Sequence, residues 1–206
     1  MNVFIISPGR TATTSLAKAL DCVIGFTASH ESRCKYLGAE RINYHSNHIE
    51  LDNRLVWFLP RLTKKYSKTG ILVILHRNRA QVAKSYNKRY YAINIMTAYS
   101  QGILMRDFSQ NGMDVCKDYV ENVYEHLNFF SEYWNNVVHL DLESPEKGLK
   151  ELLFKLNRLD DLNTVLNNLN RIKVNLNQFS LRNRIYWLWY AVRFVWENIK
   201  LAFSLR

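Results

Sequence analysis

Nine consecutive residues, Ser7-Pro8-Gly9-Arg10-Thr11-Ala12-Thr13-Thr14-Ser15, are nearly all small, hydroxyl-bearing or cationic. Such a stretch lets backbone N–H groups turn inward as an anion-binding nest. A helix starting within it adds the positive end of its dipole. Arg10 contributes a full charge, and Thr13 and Thr14 contribute hydroxyl donors. The loop is not a Walker loop, because Gly-Lys-Ser/Thr at the right spacing is missing. A plain strand-to-helix turn with a threonine cap explains the same residues without chemistry.

A second candidate is Leu75-His76-Arg77-Asn78-Arg79-Ala80-Gln81-Val82-Ala83-Lys84-Ser85-Tyr86. Arg77 follows a buried apolar run, the carboxyl edge at which α/β proteins bind ligands. Ser85 lies about two helical turns further on. A guanidinium fork and a hydroxyl so placed can hold one phosphate. A solvated basic helix start is the bland alternative.

Two further segments carry side chains suited to proton transfer or polar recognition. Ser29-His30-Glu31-Ser32-Arg33 brings an imidazole and a carboxylate together, although Glu31 could simply pair with Arg33. The stretch from Asn43 to Arg54 is dense in hydrogen-bonding groups and suits a polar acceptor such as a sugar. His45, His48 and Glu50 also invite a metal reading, but no metal is expected. His76 and His139 read as packed, hydrogen-bonded histidines.

The elements that position these groups follow from apolar periodicity. Val3–Ser7 reads as a buried strand ended by Pro8-Gly9. A helix is expected over Thr13–Leu20 and a strand over Cys22–Thr27, and 28–50 reads as a loop with short elements. Asn53 is the expected cap of a helix from Arg54 to about Tyr66. Ile71–Leu75 is the strongest buried-strand signal. Helices are expected from Asn78 to about Arg89 and over 91–106 and 114–134. A strand follows at Val137–Leu142, then a helix from Ser144-Pro145 to Leu156, another over Leu162–Leu169, and a terminal helix over 184–204. Short apolar strands alternating with helices imply a parallel sheet covered on both faces. The division expected is one domain over 1–170 and a basic linker with an amphipathic helix over 171–206.

Bulk properties agree with an enzyme-sized globular chain. The 206 residues are 48% hydrophobic, too apolar for a disordered chain. The net charge of +10 is concentrated. Residues 61–90 hold nine Lys and Arg and no acid. Residues 171–206 hold seven basic residues and one Glu. Such zones suggest an anionic partner, a nucleotide, a nucleic acid or a membrane surface, with ordinary surface lysine as the bland alternative. Three cysteines without metal-ligand spacing fit a reducing compartment. No signal peptide and no spanning segment is read, so a cytoplasmic location is expected. No nucleic-acid motif appears.

The first two motifs together resemble the sulfotransferase family. The Ser7–Ser15 loop is similar to its 5′-phosphosulfate loop, with Arg10 where lysine is usual. Arg77 and Ser85 match the arginine and serine of its 3′-phosphate motif. The resemblance covers residues 1–90 best and extends to Leu156. It departs at Ala12, Ser15 and Arg79, where Gly, Trp and Pro are common. The late Arg-Lys-Gly clamp is absent, with Lys173 or the run at Arg182 as substitutes. The resemblance implies a three-layer, P-loop-like α/β fold with a C-terminal helix. It implies transfer of a sulfuryl group from 3′-phosphoadenosine 5′-phosphosulfate to an acceptor hydroxyl or amine, such as a carbohydrate or glycolipid. Gly9, Arg10, Thr11, Ala12, Thr13, Thr14, Arg77 and Ser85 would hold the donor. Arg10 would stabilise the leaving group, and Glu31 would be the general base with His30 the runner-up. A nucleotide or small-molecule kinase and a non-catalytic binding protein of the same fold are the alternatives.

The terminal helix has its own reading. Tyr186, Arg193, Glu197 and Lys200 fall on one stripe, and the rest of the circumference is apolar. It is expected to pack on the domain, to form a homodimer contact, or to lie in a membrane interface.

Overall fold

The computed structural model describes residues 1–90, 94–106 and 111–172, together with Val192. The terminal helix expected over 184–204, Lys173 and Arg182 therefore lie outside the described residues, Val192 apart.

The chain forms five strands: β1 (Val3–Ile6), β2 (Thr27–His30), β3 (His48–Leu51), β4 (Ile71–His76) and β5 (Val137–Asp141). The α-helices are α1 (Thr13–Leu20), α2 (Leu59–Tyr66), α3 (Arg79–Asn87), a single turn α4 (Ile95–Thr97), α5 (Gly112–Ser131), α6 (Pro145–Lys155) and α7 (Leu162–Arg171). The strands make one sheet in the order β2-β3-β1-β4-β5. Every pairing is parallel, with Ile5 beside Leu51 on one side and Val73 on the other.

The side-chain alternation of β1 shows why the sheet is covered twice. Phe4 and Ile6 point into one core with Leu72 and Ile74, roofed by residues of α2, α3 and α5. Val3 and Ile5 point into the other with Ile49, Leu51, Val73 and Leu75, roofed by α1, α6 and α7. Both faces of β1 and β4 are thus apolar, as a central parallel strand requires. The expected α/β fold, a parallel sheet flanked by helices, is the one observed. Among the described residues, no helix is long and apolar enough to cross a membrane.

Several boundaries differ from the sequence reading. Cys22–Thr27 is not a strand: Val23 and Phe26 donate backbone bonds back to Leu20 and Val23, so this stretch turns off α1 and pairing begins at Thr27. The segment 28–50, expected as a loop with short elements, contributes most of β2 and β3, which the sequence reading did not place as strands. The helix expected over 54–66 begins as 3-10 turns over Asn53–Phe58 and becomes α-helical at Leu59-Pro60. Its cap is Asp52, which accepts from the Arg54 N–H, and not Asn53. The helix expected over 91–106 is α4 running into wider π turns over Ala98–Ile103, where the Leu104 N–H reaches Tyr99 O at 2.9 Å. Asn78 does cap α3, accepting from the Gln81 N–H at 3.1 Å.

Candidate active site

All strands run the same way, so the loops after β1, β2, β3 and β4 leave from one edge. The chain departs from central β1 toward β2 and β3, then returns to add β4 on its other side. Ligands of open α/β sheets sit at such a switch point. A cavity of about 240 Å³ opens there, lined by Gly9, Arg10, Ala12, Thr13, Thr14, His30, Glu31, Asn53, Arg77 and Tyr86.

The β1–α1 loop gets its shape from backbone conformation. Gly9, Arg10 and Ala12 have φ of 88°, 58° and 53°. Left-handed turns of this kind orient N–H groups into an anion-binding concavity. Ala12 is the N-cap of α1 but has no side chain with which to cap it. The N–H groups of Ser15 and Leu16 donate to the Ala12 carbonyl, both at 3.0 Å, and those of Thr13 and Thr14 before them receive no side-chain cap. Gly9 is required on two counts. Its φ suits glycine, and a Cβ there would stand 2.4 Å from the Tyr86 hydroxyl oxygen. Two buried tyrosines pin the loop from below. Tyr86 of α3 and Tyr119 of α5 both donate to the Pro8 carbonyl, at 2.7 and 3.0 Å. Burial pushes both phenols up, Tyr119 to about 12, which keeps them protonated donors.

Non-glycine residues at positive φ are uncommon, and asparagine is the usual exception. Among the described residues there are six, and Asn47 and Asn157 are two of them. Three of the other four, Arg10, Ala12 and Glu31, line this cavity. Strain concentrated at one cavity points to a site built for a ligand.

Two cationic groups, Arg10 and Arg77, meet on one side of the cavity. Arg77 Nη1 donates to the Arg10 carbonyl at 2.6 Å, and Arg10 Nε donates to Ser85 Oγ at 3.1 Å. Among the described residues, neither Arg10 nor Arg77 has a carboxylate partner. Burial, then the neighbouring Arg89 and, less strongly, Arg77, lower the pKa of Arg10. Cations gathered in this way favour an incoming anion. Arg79, which stands nearby in sequence, turns away: it pairs with Glu121 and lies over the Tyr124 ring at 4.7 Å.

Across the cavity, His30 Nε2 lies 2.9 Å from Thr13 Oγ1 and 4.0 Å from Glu31 Oε1. The Glu31 partner is not Arg33, which pairs with Glu40, but Arg54, whose Nη2 is 2.6 Å from Glu31 Oε2. That nitrogen is buried and makes no aligned hydrogen bond. Buried Asp52 holds Arg54 from the other side and also accepts from Arg41 at 2.5 Å. Glu31 is thus a half-buried carboxylate with one oxygen on an arginine and the other toward His30.

Of the residues expected at the site, Gly9, Arg10, Ala12, Thr13, Thr14, Arg77, His30 and Glu31 line one cavity. Two do not. Thr11 is fully buried, with its hydroxyl 2.7 Å from Ser7 Oγ, so its side chain braces the loop from inside. Ser85 stands behind Arg10 and reaches the cavity only through it. Sequence reasoning missed Asn53 and Tyr86 as lining residues. Asn53 follows a strand hidden by its polar composition, and its side-chain amide lies against Gly9, 3.2 Å from where a Cβ would stand. The His45, His48, Glu50 group does not form a metal cage. His48 and Glu50 pair at 2.8 Å, and His45 reaches Thr27 instead. Among the described residues, no group of three or more His, Cys, Asp or Glu is arranged to hold a metal. His76 and His139 bond each other at 2.9 Å away from the cavity.

A comparison with known protein families finds none that matches the chain, and a comparison with curated proteins finds no relative.

Proposed function

We propose that this protein is a sulfotransferase of P-loop-like α/β fold, moving a sulfuryl group from 3′-phosphoadenosine 5′-phosphosulfate to an acceptor hydroxyl or amine of a polar substrate such as a carbohydrate. The observation that carries the reading is one cavity lined by two arginines that have no carboxylate partner among the described residues, the α1 N-terminus, and a facing His30–Glu31 pair. The first set suits a nucleotide with two anionic groups; the second suits an acceptor that must lose a proton.

In this reading the β1–α1 loop, Arg10, Thr13 and Thr14 hold the 5′-phosphosulfate, and Arg77 holds the 3′-phosphate. Arg10 swings from Ser85, freeing that hydroxyl for the 3′-phosphate as well. The acceptor oxygen or nitrogen attacks sulfur in line with the bridging oxygen of the phosphosulfate. Its proton passes to the free oxygen of Glu31, with His30 as the alternative base. The bond from sulfur to the bridging oxygen breaks, and the electron pair leaves on the 5′-phosphate of adenosine 3′,5′-bisphosphate. Arg10 and the threonine hydroxyls stabilise that charge. A base so placed supplies roughly 10²–10⁴ in rate.

Calorimetric titration tests the reading directly. Adenosine 3′,5′-bisphosphate is expected to bind at least about tenfold tighter than AMP or ATP, since a charged hydrogen bond is worth roughly 1.5–3 kcal/mol. Equal affinity for AMP and the bisphosphate overturns it. Magnesium-dependent binding of ATP in preference to both would move the protein to the kinases.

A further inference from the structure

The surface formed by the 33–40 loop and helix α2 is separate from the cavity and combines two properties that globular surfaces rarely combine. Tyr36 and Leu37 are adjacent and exposed, at 50% and 87%. Around them stand basic side chains. Lys35 is exposed beside them, and Arg61, Lys64 and Lys65 are exposed on α2. One hydrogen bond joins loop and helix, Arg61 Nη1 donating to Gly38 O at 3.4 Å, and Lys65 Nζ donates to Asn43 Oδ1, three residues past the loop, at 2.9 Å. The helix carries no acid. The one carboxylate on the loop, Glu40, is already neutralised by Arg33 at 2.9 Å.

We propose that this face docks on an anionic lipid surface, with Leu37 entering the headgroup–acyl boundary and the lysines and Arg61 meeting the headgroups. Charge complementarity selects an anionic partner, and the aliphatic tip selects lipid among anionic partners. A nucleic acid would need a free ring for stacking. The Tyr36 ring is covered by the Arg33 guanidinium at 4.4 Å, and Leu37 offers neither a ring nor a hydrogen bond. The docking is independent of the transfer chemistry: the surface would hold the protein at a membrane whatever the cavity binds.

Flotation of the full chain with phosphatidylcholine vesicles, with and without a quarter phosphatidylserine, tests this. Binding is expected only with phosphatidylserine present. Lys64→Ala/Lys65→Ala should lower the partition about 25-fold, at about fivefold for each lysine. Leu37→Glu should lower it at least about tenfold, because burying a leucine is worth roughly 1.5–3 kcal/mol. Lys147→Ala/Lys150→Ala, on the opposite layer at α6, should leave it unchanged. All these positions are exposed, and an unchanged melting temperature confirms the fold. Three outcomes overturn the proposal: no binding to anionic vesicles, binding that survives Leu37→Glu, or equal loss in the α6 variant. Tighter binding to a single-stranded oligonucleotide than to the vesicles, unaffected by Leu37→Glu, overturns it in favour of nucleic acid.

Discussion

Arg77 donates to the main-chain carbonyl of Arg10 at 2.6 Å and so ties the edge of β4 to the loop after β1. The two segments are 67 residues apart in sequence. Neither arginine is neutralised by a carboxylate among the described residues, and the contact fixes the spacing between two positive charges. Arg77→Ala is expected to remove the preference for adenosine 3′,5′-bisphosphate over AMP, a loss of roughly ten- to hundredfold for a charged hydrogen bond. Calorimetry on the two ligands measures it. A variant that keeps the wild-type ratio shows that Arg77 only braces the loop.

Gly9→Ala should abolish anion binding and destabilise the fold. The added Cβ meets the Tyr86 hydroxyl at 2.4 Å and requires a φ of 88° that L-residues rarely adopt. Removing the hydroxyl in Gly9→Ala/Tyr86→Phe relieves the clash but leaves the backbone strain and gives up the Tyr86–Pro8 hydrogen bond. The double variant should therefore regain part of the stability, read as a melting temperature between those of wild type and Gly9→Ala. Full recovery would mean that strain contributes nothing.

Glu31→Gln should lower turnover by roughly 10²-fold or more while donor affinity stays within about twofold. The amide keeps the shape of the carboxylate but cannot take a proton. Wild-type turnover in Glu31→Gln with loss in His30→Gln would assign the base to His30, whose ring already sits 2.9 Å from Thr13.

Asp52 is fully buried between Arg41 and Arg54. Asp52→Ala should destabilise the protein by about 3–5 kcal/mol, the usual cost of leaving a buried charge unpaired. Urea unfolding measures it. Arg41→Met/Asp52→Leu should recover most of the loss, because it removes both charges. If Asp52→Ala costs under about 1 kcal/mol, Arg41 is not desolvated.

His76 supplies a pH dependence away from the cavity. Burial, and then the facing His139, lower its pKa below 6.5, opposed by Asp141 and reinforced by Arg79. The unfolded state therefore binds the proton first as pH falls below about 6.5, and stability is lost from there downward. His76→Gln should flatten that part of the stability curve. The measurement is the difference in urea midpoint between wild type and variant at pH 7.5 and pH 5.5. A difference that does not change with pH sinks the account.

The central strands were readable because Val3–Ile6 and Ile71–Leu75 are apolar on both faces, as burial between two helical layers demands. β3 was not readable. His48-Ile49-Glu50-Leu51 looks like a solvated loop, yet Glu50 is fully buried. It is tolerated because His48 and Ser32 both hydrogen-bond it, the latter through backbone and hydroxyl. Pattern reading prices a buried carboxylate without knowing its partners. Missing β3 had a second effect, since Asn53 leaves its carboxyl edge and so lines the cavity. The loop Gly9–Thr14 and Arg77 were legible from residue type alone. That Ser85 answers to Arg10, and that Glu31 faces Arg54 rather than Arg33, depends on long-range packing that no local spacing encodes.

The double hold on the Pro8 carbonyl also sets a timetable. Its two donors, Tyr86 and Tyr119, follow 78 and 111 residues later in the chain. Because both phenols are buried in the core under the loop, this segment takes its final shape only after the two later stretches of chain that carry them have been made and packed. Before α5 docks, β1 can already pair with β3 and β4 while the loop beyond it stays unshaped. Stalled nascent chains that expose residues up to about 90 should protect β1 amides from hydrogen exchange but not those of Gly9–Ala12, and chains that expose Tyr119 should protect both. Early protection of the loop would show that it shapes itself locally.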